Sequence, residues 1–198
     1  MNKRPFVISA IVILAFAWYY FIFRAFPVNM GFLNAVTAFS ATIILSLSFF
    51  MGPLANIVHW FKPYLHDRKE YGLIGYSLAA IHLLLAILVM LEPGREFVFA
   101  DIGSIVFAGM AFVIFTIMAF TSTNKWVTSL GYDNWKMLQR TGYIALASVA
   151  AHIVLLEEGV FLKRETGIIV IDFILLILIL RIILLFLGIR SKEKIVAW

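Results

Sequence analysis

The chain has no cysteine among its 198 residues, so disulfide relays and thiolate-bound metal clusters are excluded. Charge is scarce too. Asp, Glu, Lys and Arg make up 14% of the residues against 63% hydrophobic, and mean hydropathy is +1.00. That composition cannot supply the polar surface of a globule this size, and it places the chain inside a membrane. No polar stretch exceeds about 20 residues, which leaves no room for a folded soluble domain. Phosphate-cradling glycine loops are lacking as well. Gly72, Gly75, Gly103, Gly109 and Gly142 sit in or at the ends of apolar runs, where close packing of helices or of a cofactor accounts for them.

What is present is a series of long apolar runs. A hydrocarbon core of about 30 Å takes about 20 helical residues. Six segments meet or approach that length, near 5–23, 31–51, 72–91, 102–121, 140–157 and 168–188. They are continuously apolar and rich in Leu, Ile and Ala, whereas barrel strands would alternate. The expected fold is all-α: a polytopic membrane protein, one six-helix transmembrane domain over 1–198, with no repeat or long linker. The first run follows Lys3 and Arg4 as a secretion signal would. Its apolar core is longer, however, and runs into Trp18, Tyr19 and Tyr20 rather than a small-residue cleavage site, which reads as a retained span.

Basic residues orient the bundle. Lys3, Arg4, Lys62, Arg68, Lys69, Lys125, Lys136, Arg140, Arg190, Lys192 and Lys194 fall on one side, and Arg24, Arg95, Lys163 and Arg164 on the other. The first side, with both termini, is expected to be cytoplasmic, in a multi-pass protein of the plasma or inner membrane. Topogenic charge explains the basic balance, and membrane lipid rather than nucleic acid is the expected surrounding partner. The longest connection, about 52–71, mixes Trp60, Phe61 and Tyr64 with basic residues and suits a helix lying at the membrane surface, an anchor or a docking face for an electron donor.

Two histidines interrupt the apolar spans. His82 is ten residues beyond Gly72 and His152 eleven beyond Thr141, so both are expected roughly 15 Å from the inner surface, on helices running the same way. An imidazole at that depth needs partners for its nitrogens. Two readings are open: each ring bonds a neighbouring carbonyl or hydroxyl, or the pair shares a planar macrocycle and gives one nitrogen each to a haem iron.

The stretch from Arg68 to His82, RKEYGLIGYSLAAIH, and the stretch from Thr121 to His152 containing Trp126, Leu130, Gly131, Trp135-Lys136, Leu138, a basic residue and Tyr143, together resemble the ferric-reductase-like transmembrane domain. Within that superfamily the pattern is most similar to the haem-binding membrane subunit of the periplasmic methionine sulfoxide reductase system, over about 70–190. The resemblance implies transmembrane electron transfer through haem b, by a subunit of an oxidoreductase system rather than a complete enzyme. Electrons would pass from a cytoplasmic flavoprotein or quinol donor to an extracytoplasmic redox partner, and His82 and His152 match the axial iron ligands.

One departure changes the expected stoichiometry. Relatives carry a histidine followed by arginine thirteen residues before the second axial histidine, and here those positions are Gln139 and Arg140. An amide is a poor iron ligand, so one haem per chain is expected. A flavin mononucleotide or a quinone is then the candidate to meet the longer electron path, against walls drawn from Trp126, Tyr132 and Trp135. Arg68 and Arg140 are the expected partners of haem propionates, since a guanidinium grips a carboxylate with two parallel hydrogen bonds. His59 and His66 read as interfacial. Asp172 and Arg181 lie nine residues apart in the last span, not as a close pair, and leave room for a role in proton or anion movement. Two other function classes remain: a cofactor-free scaffold of the same fold, which Gln139 favours, and a small six-span transporter, for which only Asp172 and Arg181 speak.

Overall fold

The computed structural model describes residues 2–91, 101–156 and 165–188. Every regular element among them is helical: α1 Arg4–Trp18, α2 Met30–Ile57, α3 Arg68–Met90, α4 Asp101–Phe120, α5 Asn124–Leu130, α6 Tyr132–Arg140, α7 Gly142–Leu155 and α8 Glu165–Phe186. A π-helical turn, Tyr19–Phe23, extends α1, and a 3-10 segment, His59–Asp67, leads into α3. Among the described residues six helical segments are long and apolar enough to cross a membrane, with α6 and α7 acting as one. This is an all-α, multi-pass membrane protein. The side where Lys62, Lys69, Lys136 and Arg140 collect is called the basic end below.

α2 is the central helix. Asn29 caps it, its side chain accepting from the Phe32 amide at 3.0 Å. It packs against α1, α3, α7 and α8, while α4 and α7 form a second closely packed pair. Ile44, Ala145, Leu146, Val170, Ile174 and Ile177 are completely buried where these helices meet. Gly75 lets α2 and α3 cross at backbone distance: a Cβ there would lie 2.9 Å from the Leu45 amide nitrogen.

The expected surface helix over 52–71 is shorter and differently built. α2 continues through Gly52 and Pro53 to Ile57, and only His59–Asp67 lies between it and α3. Proline removes a single helix donor, the one that would have served the Phe49 carbonyl. The Tyr143 hydroxyl points at that carbonyl from α7 at 3.5 Å. The last two spans also shift. The fifth runs Tyr132–Leu155 rather than 140–157, because the amphipathic α6 joins α7 through a helical Thr141 and because Leu156 is already extended. The sixth begins at Glu165. Arg95, Glu92, Glu96, Glu157, Glu158, Lys163, Arg164, Arg190, Lys192 and Lys194 lie outside the described residues, so the part of the charge bias that rests on them has no structural counterpart here.

Candidate functional site

His82, on α3, and His152, on α7, are within electrostatic reach of one another, and the Asn34 carbonyl of α2 faces the His82 ring. His82 is eight residues before the end of α3 and His152 three before the end of α7. The carrier helices themselves make no extended contact with each other. Small residues precede both rings, Ala79 and Ala80 on α3, Ala150 and Ala151 on α7.

The environment of each ring is different. His152 Nδ1 lies 2.8 Å from the Ser104 hydroxyl and 3.1 Å from the Ser104 carbonyl, on α4. The same hydroxyl donates to the His152 carbonyl at 3.3 Å. A carbonyl only accepts, and the serine proton is committed elsewhere, so Nδ1 carries the imidazole proton and Nε2 presents its lone pair. His82 Nδ1 is buried with no hydrogen-bond partner, and so is the Asn34 Oδ1 atom on the facing helix. A buried orphan of this kind costs about 1–3 kcal/mol, which a ligand at the site would offset.

That donor set fits haem. No group of three His, Cys, Asp or Glu able to hold a metal occurs among the described residues. Two imidazoles are too few for a bare cation such as zinc, but they would suffice for an iron that brings its other nitrogen ligands with it. His82 and His152 are the residues that would hold it. Sequence reasoning missed Ser104 and Asn34, because a lone serine or asparagine in an apolar helix looks like any other small polar residue until the opposing helix is in place.

At the basic end residues of α2 to α8 and of the 3-10 segment line a cavity of about 1170 Å³. Arg68, Arg140, Gln139, Tyr132 and Trp135 line it as the sequence led one to expect, and so do His59 and His66; Trp126 does not, and is 42% exposed. The cavity reaches toward the histidines as far as Tyr76 and Tyr143. Tyr76 stacks on Phe112 at 5.7 Å, and Tyr143 meets Phe49 edge-on at 5.3 Å. Arg68 has a structural task as well: its Nε donates to the Ser48 carbonyl at 3.1 Å while the Ser48 hydroxyl donates to the Arg68 carbonyl at 2.7 Å. Gln139 makes long contacts, 3.4 Å to the Met118 carbonyl and 3.5 Å to the Thr121 hydroxyl. Asp172 is exposed on α8 and is not part of this lining.

The magnetosome protein MamZ of Magnetospirillum gryphiswaldense (strain DSM 6361 / JCM 21280 / NBRC 15271 / MSR-1) is 30% identical over 129 residues, 64% of this chain and 20% of that protein. The MamZ of Paramagnetospirillum magneticum (strain ATCC 700264 / AMB-1) is 28% identical over 129 residues, with the same coverage. The protein-methionine-sulfoxide reductase heme-binding subunit MsrQ of Caulobacter vibrioides (strain ATCC 19089 / CIP 103742 / CB 15) is 30% identical over 95 residues, 46% of this chain and 45% of that protein. The chain thus spans a fifth of the two MamZ proteins and under half of MsrQ. Residues 37–150 match the family described as ferric reductase like transmembrane component, a stretch that contains His82 and stops two residues before His152. On that match, which covers more than half of its length, the chain belongs to the ferric reductase like transmembrane component family.

Proposed function

We propose that this protein is a haem b-binding membrane subunit that carries electrons across the bilayer, from a cytoplasmic flavin or quinol donor to an extracytoplasmic acceptor, through one haem held by His82 and His152. The observation that carries the reading is that the two rings lie within electrostatic reach of one another, one with its Nδ1 proton held by Ser104 and the other with a buried Nδ1 that has no hydrogen-bond partner. The heme-binding name of the MsrQ relative and the family match support it. A bound haem supplies the one-electron couple. The chain supplies ligation and orientation, and its apolar helices supply a low-dielectric shell that excludes water.

The residues divide the work by depth. Ser104 holds the His152 ring through Nδ1, which leaves Nε2 available to a ligand. The basic end faces the cytoplasm by the positive-inside rule. Its cavity is where a donor ring, flavin mononucleotide or quinone, would approach, between the Tyr76 and Tyr143 side and the Tyr132 and Trp135 wall. Arg68 and Arg140 line the same cavity and would meet acid groups there. With Gln139 in place of an imidazole, that cavity has no histidine on α6 to ligate a second iron.

The test is the visible spectrum of the purified protein, oxidised and dithionite-reduced, with haem quantified per chain. We expect one haem with a low-spin b-type spectrum, lost or converted to high spin in both His82→Ala and His152→Ala. A low-spin spectrum that survives in either variant would overturn the ligation, and a wild-type chain without haem would favour the scaffold reading.

A further inference from the structure

Arg181 has no part in haem ligation or in the donor-side walls described above. It interrupts an apolar stretch of α8 that runs from Phe173 to Phe186, and a guanidinium at such a position needs a partner or a reason. Snorkelling along the lipid face would be one reason. The structure shows another arrangement. The Arg181 guanidinium lies over the Tyr143 ring, 5.3 Å from its centroid, and lines the large cavity at the basic end together with Arg68 and Arg140. Tyr143 is itself positioned by the Phe49 ring and the Phe49 carbonyl. The platform under the guanidinium is thus set by the fold rather than by a mobile side chain.

The chemistry of the cavity is one-sided. Lys62, Lys69 and Lys136 join the three arginines in its lining, and among the described residues neither Asp nor Glu does. Its deeper part is apolar, with Leu45, Phe49, Phe115 and Met118. A guanidinium held over an aromatic face still has N–H groups to offer a fork-shaped acceptor, and phosphate and carboxylate have that shape. Cations around an apolar interior suit an amphiphile with an acid group.

We propose that Arg181 anchors the acid group of an amphiphilic ligand in this cavity and so selects an acid-bearing ring, or an acidic lipid, over a neutral quinone. The inference deepens the reading of the cavity as the donor-side site and depends on it, but not on the haem. The acid chemistry is shared by two sources, the phosphate of a mononucleotide and that of an anionic phospholipid.

The test measures binding of flavin mononucleotide and of riboflavin, which lacks the phosphate, to the full-length protein in nanodiscs. Discs of phosphatidylcholine alone are compared with discs that also contain phosphatidylglycerol. In phosphatidylcholine we expect the mononucleotide to bind on the order of tenfold to a hundredfold more tightly than riboflavin. Arg181→Gln should abolish that difference by weakening the mononucleotide alone, and Arg181→Lys should restore part of it. If phosphatidylglycerol competes with the mononucleotide in the wild type but not in Arg181→Gln, the lipid is an acid source as well. Equal binding of the two flavins by the wild type, with no competition from phosphatidylglycerol, overturns the proposal, and so does a preference that persists in Arg181→Gln. The haem spectrum of each variant reports folding and tests the haem reading separately: a wild type without haem that still prefers the mononucleotide would sink that reading and leave this one standing.

Discussion

At the scale of single residues, the function turns on what each imidazole nitrogen touches. Ser104 gives His152 two acceptors for one proton, which fixes the tautomer and raises the basicity of the opposite nitrogen. Removing such an outer partner typically costs tenfold to a hundredfold in metal affinity, so Ser104→Ala, which keeps the carbonyl and loses the hydroxyl, is expected to weaken haem retention by about tenfold. The reduction potential should rise, since a less basic imidazole stabilises ferric iron less. Ser104→Thr should restore both, as measured by haem transfer to an apo-globin and by redox titration. The histidines were legible in the sequence because an ionisable ring in an apolar helix is rare and demands an explanation. Ser104 and Asn34 were not, because serine and asparagine are tolerated throughout such helices and their meaning is created by the packing of α4 on α7 and of α2 on α3.

At the scale of elements, close crossings decide which substitutions the bundle tolerates. At Gly75 an added methyl would press on the Leu45 backbone, which cannot yield, and at Gly142 it would meet the Phe49 ring rim. Overpacking of this kind costs about 1–3 kcal/mol. Gly75→Ala is therefore expected to lower thermal stability clearly, while Gly109→Ala, whose Cβ would enter open space, should be neutral or raise it through helix propensity. Thermal melts of the wild type and the two variants, run side by side, check this. Equal melting of the Gly75 and Gly109 variants would show that α2 and α3 do not cross as described. The six spans were legible in the sequence because hydropathy and length are local properties. The end of α2 was placed too early, since Gly52-Pro53 reads as a break although Pro53 withholds only one hydrogen bond within an otherwise supported helix. The end of α7 was placed too far along the chain, because Leu156 is apolar like its neighbours although its backbone has already turned extended.

At the scale of the whole molecule, α2 packs with α1, α3 and α8, the α4–α7 pair joins them chiefly through α3 and α8, and a cationic cavity occupies the basic end. The cations were visible in the sequence as topogenic charge. The enclosure they form was not, because its walls come from eight separate elements. One further property follows from the lack of extended contact between α3 and α7. If a macrocycle bridges them, it replaces packing that the polypeptide does not provide for itself, and a ligand that binds only the folded form stabilises it by mass action, by about 2.7 kcal/mol at a hundred times its dissociation constant. Haem-loaded protein should melt at a higher temperature than haem-free protein made under iron starvation, and the difference should vanish in His82→Ala; an identical melting point would show that the helices hold their spacing unaided. In a living membrane the same gap would make the chain's lifetime depend on tetrapyrrole supply, with molecules that have not received their prosthetic group the first to be cleared by proteolytic quality control.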